Sequence, residues 1–336
     1  MVGLYKRRIP KLNIETSALG LGTWAIGGPF TGADGLAHGW GKTDDEEAVK
    51  ALKRAFELGI NVFDTADVYG CGHSEKLIAK ALGECREEII IITKFGIVFD
   101  PKTKREIGED GSPKYVRKAV KASLKRLKTD YIDIYLLHIW GYPIERAAET
   151  MNALEDLVSE GAIRGYGWST DSTSRAMAFA DRKHYVAVES ELNVFRVTSE
   201  IISLCEEKKL VNINRGPLAM GLLSGKYTLE SPSLPKNDVR KSSPNWLVYF
   251  KNGKVTLEFA KKLEQIKEIL TEDGRTLVQG AIGWIWAKSP ITLPIPGFKT
   301  VKQVEENAKA LEYGPLKPSQ MKAIDEILGP RNLIFE

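Results

Sequence analysis

Cysteine is scarce in this sequence. Cys71, Cys85 and Cys205 are the only three among 336 residues, and no two form a Cys-x-x-Cys pair. That excludes a disulfide framework and a cysteine-built zinc site, and it fits a reducing compartment. Long apolar runs are missing too. No stretch approaches the ~20 uncharged apolar residues that a membrane helix needs. No apolar signal core follows the short basic stretch at positions 1–10. A cytoplasmic chain with no membrane partner is the expectation. Charge of one sign is also lacking: 48 Lys and Arg stand against 44 Asp and Glu, a formal net charge of +4. So mild a balance does not call for nucleic acid or an anionic membrane. Histidine occurs only four times, and no HExxH, GxSxG or Walker-type pattern stands in a suitable context. There is thus no obvious metal cluster, serine nucleophile or triphosphate loop.

What is present is a regular alternation. The length is awkward for one ordinary core, since domains usually split beyond roughly 250–300 residues; two modest domains or one large closed barrel both fit. Short runs rich in β-branched residues occur at 19–24, 60–64, 89–94, 132–138, 163–168, 186–191, 210–215 and 291–295, the composition of buried parallel strands. Amphipathic helical patterns lie between them, at 44–57, 113–127, 144–159, 171–180, 199–208, 275–287 and 301–310, with an extra helix at 317–328. Ser112 followed by Pro113 reads as an N-cap with proline at the first helical position. Such a series, with no composition break, predicts one (β/α)8 barrel domain over 1–336. A doubly wound sheet is the competing fold, but Gly20-Leu-Gly22 runs into Thr23-Trp24 and a long loop instead of a helix start. Residues 3–18 read as a hairpin closing the barrel bottom. Three connections, 25–43, 96–112 and 216–252, exceed the ~12–15 residues beyond which loops are usually functional or disordered. All three leave C-terminal strand ends, the face where barrel active sites lie. Asp110-Gly111 marks a turn in the second of them.

Polar residues at the ends of apolar strands are the informative ones. Asp64 ends the second strand, Lys94 the third and His138 the fourth, while Tyr69 follows Asp64 by five positions. Each has a bland reading: a helix cap, an exposed strand end, a satisfied core histidine, a loop tyrosine. Barrel closure would bring all four to one rim. An ammonium near a phenol favours tyrosinate, and a carboxylate keeps that ammonium charged. Such a tyrosine can work as a general acid closer to neutral pH than its reference value of ~10. Schiff-base chemistry on Lys94 is a competing reading.

Five segments, in order along the chain, sharpen this picture. They are Asp64-Thr-Ala-Asp-Val-Tyr69-Gly-Cys-Gly-His-Ser-Glu75, Thr93-Lys94-Phe-Gly96, Asp130-Tyr-Ile-Asp-Ile-Tyr-Leu-Leu-His138, Pro217-Leu-Ala-Met-Gly-Leu-Leu-Ser-Gly-Lys226-Tyr and Pro294-Ile-Pro-Gly297. Together they resemble the aldo-keto reductases over nearly the whole chain. The resemblance implies a (β/α)8 barrel, a nicotinamide dinucleotide and a small-molecule carbonyl substrate. It makes Asp64, Tyr69, Lys94 and His138 a catalytic tetrad, with Tyr69 the proton donor, its pKa depressed by Lys94, and His138 orienting the substrate oxygen. It places Gly22, Thr23 and Trp24 beside the reactive end of the cofactor and Asp64 close to it. Ser169, Thr170 and Glu189 would meet the carboxamide. Thr170 stands where the family usually has Asn, and Glu189 where it usually has Gln, which removes a donor.

Arg215, opening Arg215-Gly216-Pro217-Leu218, replaces an aromatic that often stacks on nicotinamide; it would cover a ring face or meet the phosphates. Leu218, Gly221, Leu223, Gly225 and Lys226 would wrap the pyrophosphate. Gly297, Lys299, Gln303, Glu306 and Asn307 would hold the adenosine end, with Lys299 favouring NADPH (NADP+) over NADH. Trp24, Tyr69, Phe95, His138 and Trp140 are the expected substrate pocket, although core packing reads equally well for Phe95 and Trp140. No metal is expected. A regulatory role like that of potassium-channel beta subunits, which share this fold, is the competing function. Substrate identity and oligomeric state are not legible.

Overall fold

The computed structural model describes residues 5–331. Eight parallel strands run in sequence order around one sheet: β1 (Gly20–Gly22), β2 (Val62–Asp64), β3 (Ile90–Phe95), β4 (Ile132–Leu137), β5 (Ile163–Ser169), β6 (Tyr185–Glu191), β7 (Val211–Arg215) and β8 (Thr292–Pro294). The sheet closes where the Gly22 amide donates to the Pro296 carbonyl at 3.1 Å and Gly22 bridges Gly297 in parallel. This is the barrel read from the sequence, with the eight strand cores where the apolar runs place them.

Strand periodicity divides the side chains between two layers. Val62, Ile90, Ile92, Ile134, Leu136, Val211, Ile213 and Leu293 fill the barrel interior. Their strand neighbours Phe63, Ile91, Phe95, Tyr135 and Leu137 face the surrounding helices. These are α1 (Asp45–Glu57), α2 (His73–Leu82), α3 (Pro113–Leu127), α4 (Ile144–Ser159), α5 (Thr173–Met177), α6 (Ser199–Lys208), α7 (Leu257–Thr271), α8 (Leu277–Lys288), α9 (Val301–Tyr313) and α10 (Pro318–Leu328). Asp44 caps α1 by accepting from the Glu46 and Glu47 amides, and Ser112 caps α3, with Pro113 in its first turn. An antiparallel hairpin pairs Lys6–Ile9 with Ile14–Ser17. It plugs the N-terminal end of the barrel: Ile9 joins the interior cluster, and Arg7 donates to the carbonyls of Thr292, Trp286 and Ser289. Positions 3 and 4 of the expected hairpin segment lie outside the described residues.

The structure corrects several sequence expectations. Helices α2 and α7 were not anticipated. The first turn of α2 follows Gly72, whose φ of 89° and lack of a side-chain cap hide the usual start signal. The helix expected over 171–180 shrinks to Thr173–Met177, with Ser172 as its N-cap. The 96–112 connection is a hairpin of Ile97–Asp100 against Arg105–Glu109. Its turn falls at 101–104; the Asp110 carboxylate instead accepts from the Ser112 amide at 2.8 Å, tying the hairpin to α3. The 216–252 connection carries a 3-10 segment, Ala219–Ser224, and a short helical turn, Val239–Ser242. The 25–43 and 216–252 connections meet over the barrel mouth. The Val239 amide donates to the Gly39 carbonyl at 2.8 Å, and Trp40 bridges Asp238. No helix among the described residues is long and apolar enough to cross a membrane.

Candidate active site

On three strands the interior face ends in a charged group at the C-terminal rim. On β3 the inward series Ile90, Ile92 continues to Lys94; on β2 Val62 continues to Asp64; on β7 Val211 and Ile213 continue to Arg215. Lys94 is wholly buried. Its ammonium lies 2.8 and 2.7 Å from the two Asp64 oxygens, 2.9 Å from the Thr65 carbonyl and 3.5 Å from the Tyr69 hydroxyl. The same nitrogen is 3.2 Å from Glu189 Oε2. Glu189 faces Ser169 across the β5–β6 register and accepts its hydroxyl through Oε1 at 3.1 Å.

This group is more negative than the sequence suggests. Burial works against the Lys94 charge, but Asp64 and then Glu189 outweigh it and hold the ammonium above the ordinary lysine range. A protonated amine so held is no Schiff-base nucleophile, which disfavours the aldolase reading. Tyr69 reverses the expectation. Lys94 does pull its pKa down, but burial comes first and pushes it up, and Asp64 and Glu189 add to the rise; the phenol ends above its ordinary value. Asp64 is raised by burial and by Glu189 against the pull of Lys94. His138, edge-on to Tyr69 with ring centres 6.2 Å apart, is lowered by burial and then by Lys94 and Arg215. It is therefore a neutral imidazole at ordinary pH.

Tyr69 is placed by backbone contact. Its ring stacks on Trp24 at 5.9 Å. Gly70 behind it has φ 59°, and a Cβ there would stand 1.8 Å from the Gly27 carbonyl oxygen. Only glycine lets the first long loop press this closely on the tyrosine. Gly70→Ala is expected to destabilise the fold by about 1–3 kcal/mol through overpacking and positive φ. It is also expected to lower turnover by shifting Tyr69. Thermal unfolding and kcat measured on the same preparation check both.

These groups open onto a cavity of about 570 Å³. Gly22, Trp24, Asp64, Tyr69, His138, Trp140, Ser169, Glu189, Arg215, Gly216, Pro217, Leu218, Gly221, Lys226, Gly297, Lys299 and Gln303 line it. Thr23, Thr170, Leu223, Gly225, Glu306 and Asn307 are not among its lining residues. The Thr23 hydroxyl donates to the Asp64 carbonyl at 2.9 Å, Thr170 Oγ1 accepts from the Ser172 amide, and Leu223 packs in an apolar cluster. Gly225, at φ 71°, caps the 3-10 segment, and the Glu306 carbonyl accepts from Gln279. Phe95 is a correction: it is fully buried against Tyr135, 4.7 Å away, on the helix side of β3. The alternation that turns Lys94 inward turns its neighbour outward. Arg215 is held on the cavity wall by side chains of the neighbouring strands and loops. It pairs with Asp171, approaches Glu191 at 3.7 Å and lies 5.1 Å from the Trp140 ring centre.

At the other end of the cavity, cations gather. The Lys299 ammonium donates to the Trp40 carbonyl; burial, and then Arg240 and Lys226 against Asp238, lower its pKa. Arg240, buried and paired with Asp238, was missed in the sequence, as were Trp40, Trp246, Glu106 and Glu109 on the wall. They sit in long loops without local pattern. His38 also stands on the wall and bonds Glu106 at 3.0 Å. The residues fit a dinucleotide. Gly216 and Gly221, at φ 65° and 95°, leave the backbone bare beside Lys226 and Arg240.

Barrel and rim together place a half-buried phenol beside a buried ammonium on the wall of a cavity with a cationic end, an arrangement suited to an oxidoreductase that takes a dinucleotide. Comparison with known proteins agrees. The aldo/keto reductase family model matches residues 18–329. A Schizosaccharomyces pombe aldo-keto reductase named for NADP(+) is 33% identical, covering 88% of this chain and 86% of that protein. The NADH-specific methylglyoxal reductase of Escherichia coli is 30% identical, covering 89% and 91%. The structure of aldo-keto reductase AKR11C1 from Bacillus halodurans, holo form, superposes with a TM-score of 0.79 at 28% identity, covering 99% of each chain. The chain belongs to the aldo/keto reductase family, and it is an NAD(P)H-dependent oxidoreductase acting on carbonyl groups.

Proposed function

We propose that this chain reduces an aldehyde or ketone to an alcohol with NADPH, reversibly, with Tyr69 as the group that gives and takes the proton. The observation that carries the reading is the placing of the Tyr69 hydroxyl 3.5 Å from the Lys94 ammonium on the wall of a cavity shared with His138 and Trp24. When bound, the nicotinamide supplies the hydride. Asp64 and the Thr65 carbonyl orient Lys94. The ammonium steadies the negative charge left on the phenol oxygen once its proton has gone to the substrate oxygen. Neutral His138 orients that oxygen by hydrogen bonding. Trp24 covers one face of the Tyr69 ring.

Lys226, Arg240 and Lys299 favour the more anionic of the two nicotinamide cofactors. The relative named for NADP(+) supports NADPH, and the NADH-specific relative marks the alternative. We place the reaction in the cytoplasm, consistent with three free cysteines. The test is a panel of aldehydes and ketones followed by consumption of NADPH or NADH. NADPH-dependent turnover, with the larger kcat/KM for NADPH, is the expected result. Nucleotide bound tightly without turnover across the panel would instead favour a regulatory role.

A further inference from the structure

Glu189 was matched to a position that meets the cofactor carboxamide, yet the structure turns it elsewhere. It is 1% exposed. Oε1 accepts from Ser169, while Oε2 points at Lys94 from 3.2 Å and has no hydrogen bond of good geometry. The approach crosses the barrel mouth, since β4 and β5 lie between β3 and β6. Gly167 on β5 lets the flanking strands approach closely: a Cβ there would meet the Ala187 carbonyl oxygen at 2.0 Å and Leu136 Cδ2 at 3.0 Å.

An ammonium has three protons. Around Lys94 the two Asp64 oxygens stand at 2.8 and 2.7 Å and the Thr65 carbonyl at 2.9 Å. These take two of the three. Glu189 at 3.2 Å and Tyr69 at 3.5 Å contend for the last. We propose that Glu189 is a positioning residue that competes with Tyr69 for the third proton of the Lys94 ammonium, so that the charge on Glu189 sets how readily Tyr69 releases its own proton. The proposal rests on the reading of Tyr69 as proton donor.

Charge counting supports it. Two ionised carboxylates and one ammonium leave a net negative charge in a buried site, which is costly. One proton held by the Asp64–Glu189 pair removes that excess. The other charged and titratable groups facing Glu189 are Lys94 on β3, Tyr69 in the loop after β2 and Arg215 on β7, the last already held by Asp171 and Glu191. With the pair singly protonated, the third Lys94 proton is free for Tyr69, and the phenol proton passes to the substrate oxygen, leaving its charge on the Tyr69 oxygen beside Lys94. With both carboxylates ionised, that charge meets a second anion across the ammonium, and the transfer is opposed. Solvent later returns a proton to Tyr69.

The test is a spectroscopic titration of Tyr69 in the full nucleotide-free chain. Tyrosinate absorbance is followed with pH in the wild type and in Glu189→Gln, each referenced to its own Tyr69→Phe partner. Glu189→Gln is expected to bring the Tyr69 titration down by roughly 1–3 pH units. Glu189→Asp, which keeps the charge, is expected to leave it near the wild-type position. In turnover, the alkaline fall of kcat for reduction moves down with Tyr69 in the Gln variant. If Glu189→Gln does not fold, Glu189→Met serves in its place with the same expected shift. An unmoved Tyr69 titration overturns the proposal, as does an unmoved titration with weakened nucleotide binding, which would return Glu189 to the carboxamide. The titration needs no carbonyl turnover, so an inactive chain in the carbonyl panel would sink the functional reading separately.

Discussion

Tyr69→Phe is expected to lower kcat for carbonyl reduction by about 10²–10⁴-fold, the usual worth of a positioned general acid. The substitution removes one oxygen and little else. The ring keeps its stacking on Trp24 and its edge contact with His138, and Lys94 loses only its most distant partner, at 3.5 Å. Thermal stability and nucleotide affinity are therefore expected to stay near wild type. Steady-state kinetics in both directions, beside a nucleotide binding titration, checks this; a variant retaining more than about a tenth of kcat would remove Tyr69 from the chemistry. The pH dependence follows from its raised pKa. The phenol stays protonated through neutral pH, so reduction persists until pH rises toward that value. Alcohol oxidation needs the tyrosinate and grows with pH. Because the His138 pKa is lowered, no histidine limb is expected near neutral pH.

Lys94→Met is expected to abolish activity and to destabilise the fold by about 3–5 kcal/mol at neutral pH, the cost of leaving a buried charge without its partner. Here two carboxylates are left, Asp64 and Glu189, in a site from which water is excluded. Asp64 already sits above its ordinary range with Lys94 present, raised by burial and then by Glu189; without the ammonium that carboxyl rises further. A carboxyl whose folded pKa exceeds its unfolded value binds more protons in the folded state, so stability falls as pH rises through the folded pKa. The deficit of the variant is therefore expected to shrink on acidification from neutral pH. Denaturant unfolding at two pH values measures it. A pH-independent deficit would mean that Asp64 and Glu189 do not share the charge of Lys94.

The barrel was legible because its cause is local. β-branched runs make strands at β2–β7 wherever they occur, and their alternation with amphipathic segments leaves few topologies. Helix α2 was missed because Gly72 at its start carries no capping side chain. Phe95 was misassigned although strand alternation, which turns it away from Lys94, was available in the sequence. Asp64, Lys94 and His138 were legible as a group because strand ends project polar side chains to one rim, and the loop after β2 returns Tyr69 to the same cavity wall. Arg240 and Trp246 were not, because loop residues carry no periodicity to show where they return.

By itself, then, the sequence determined the strand order, the polar rim and the chemical types that stand on it, since these depend on short-range pattern. The tertiary structure alone decided that Glu189 reaches Lys94 across the mouth, that Asp171 and Glu191 hold Arg215, and that Tyr69 is raised and not lowered. Those outcomes depend on distance through space and on exclusion of water. Charges on β2, β3 and β6 acquire both only when the barrel closes.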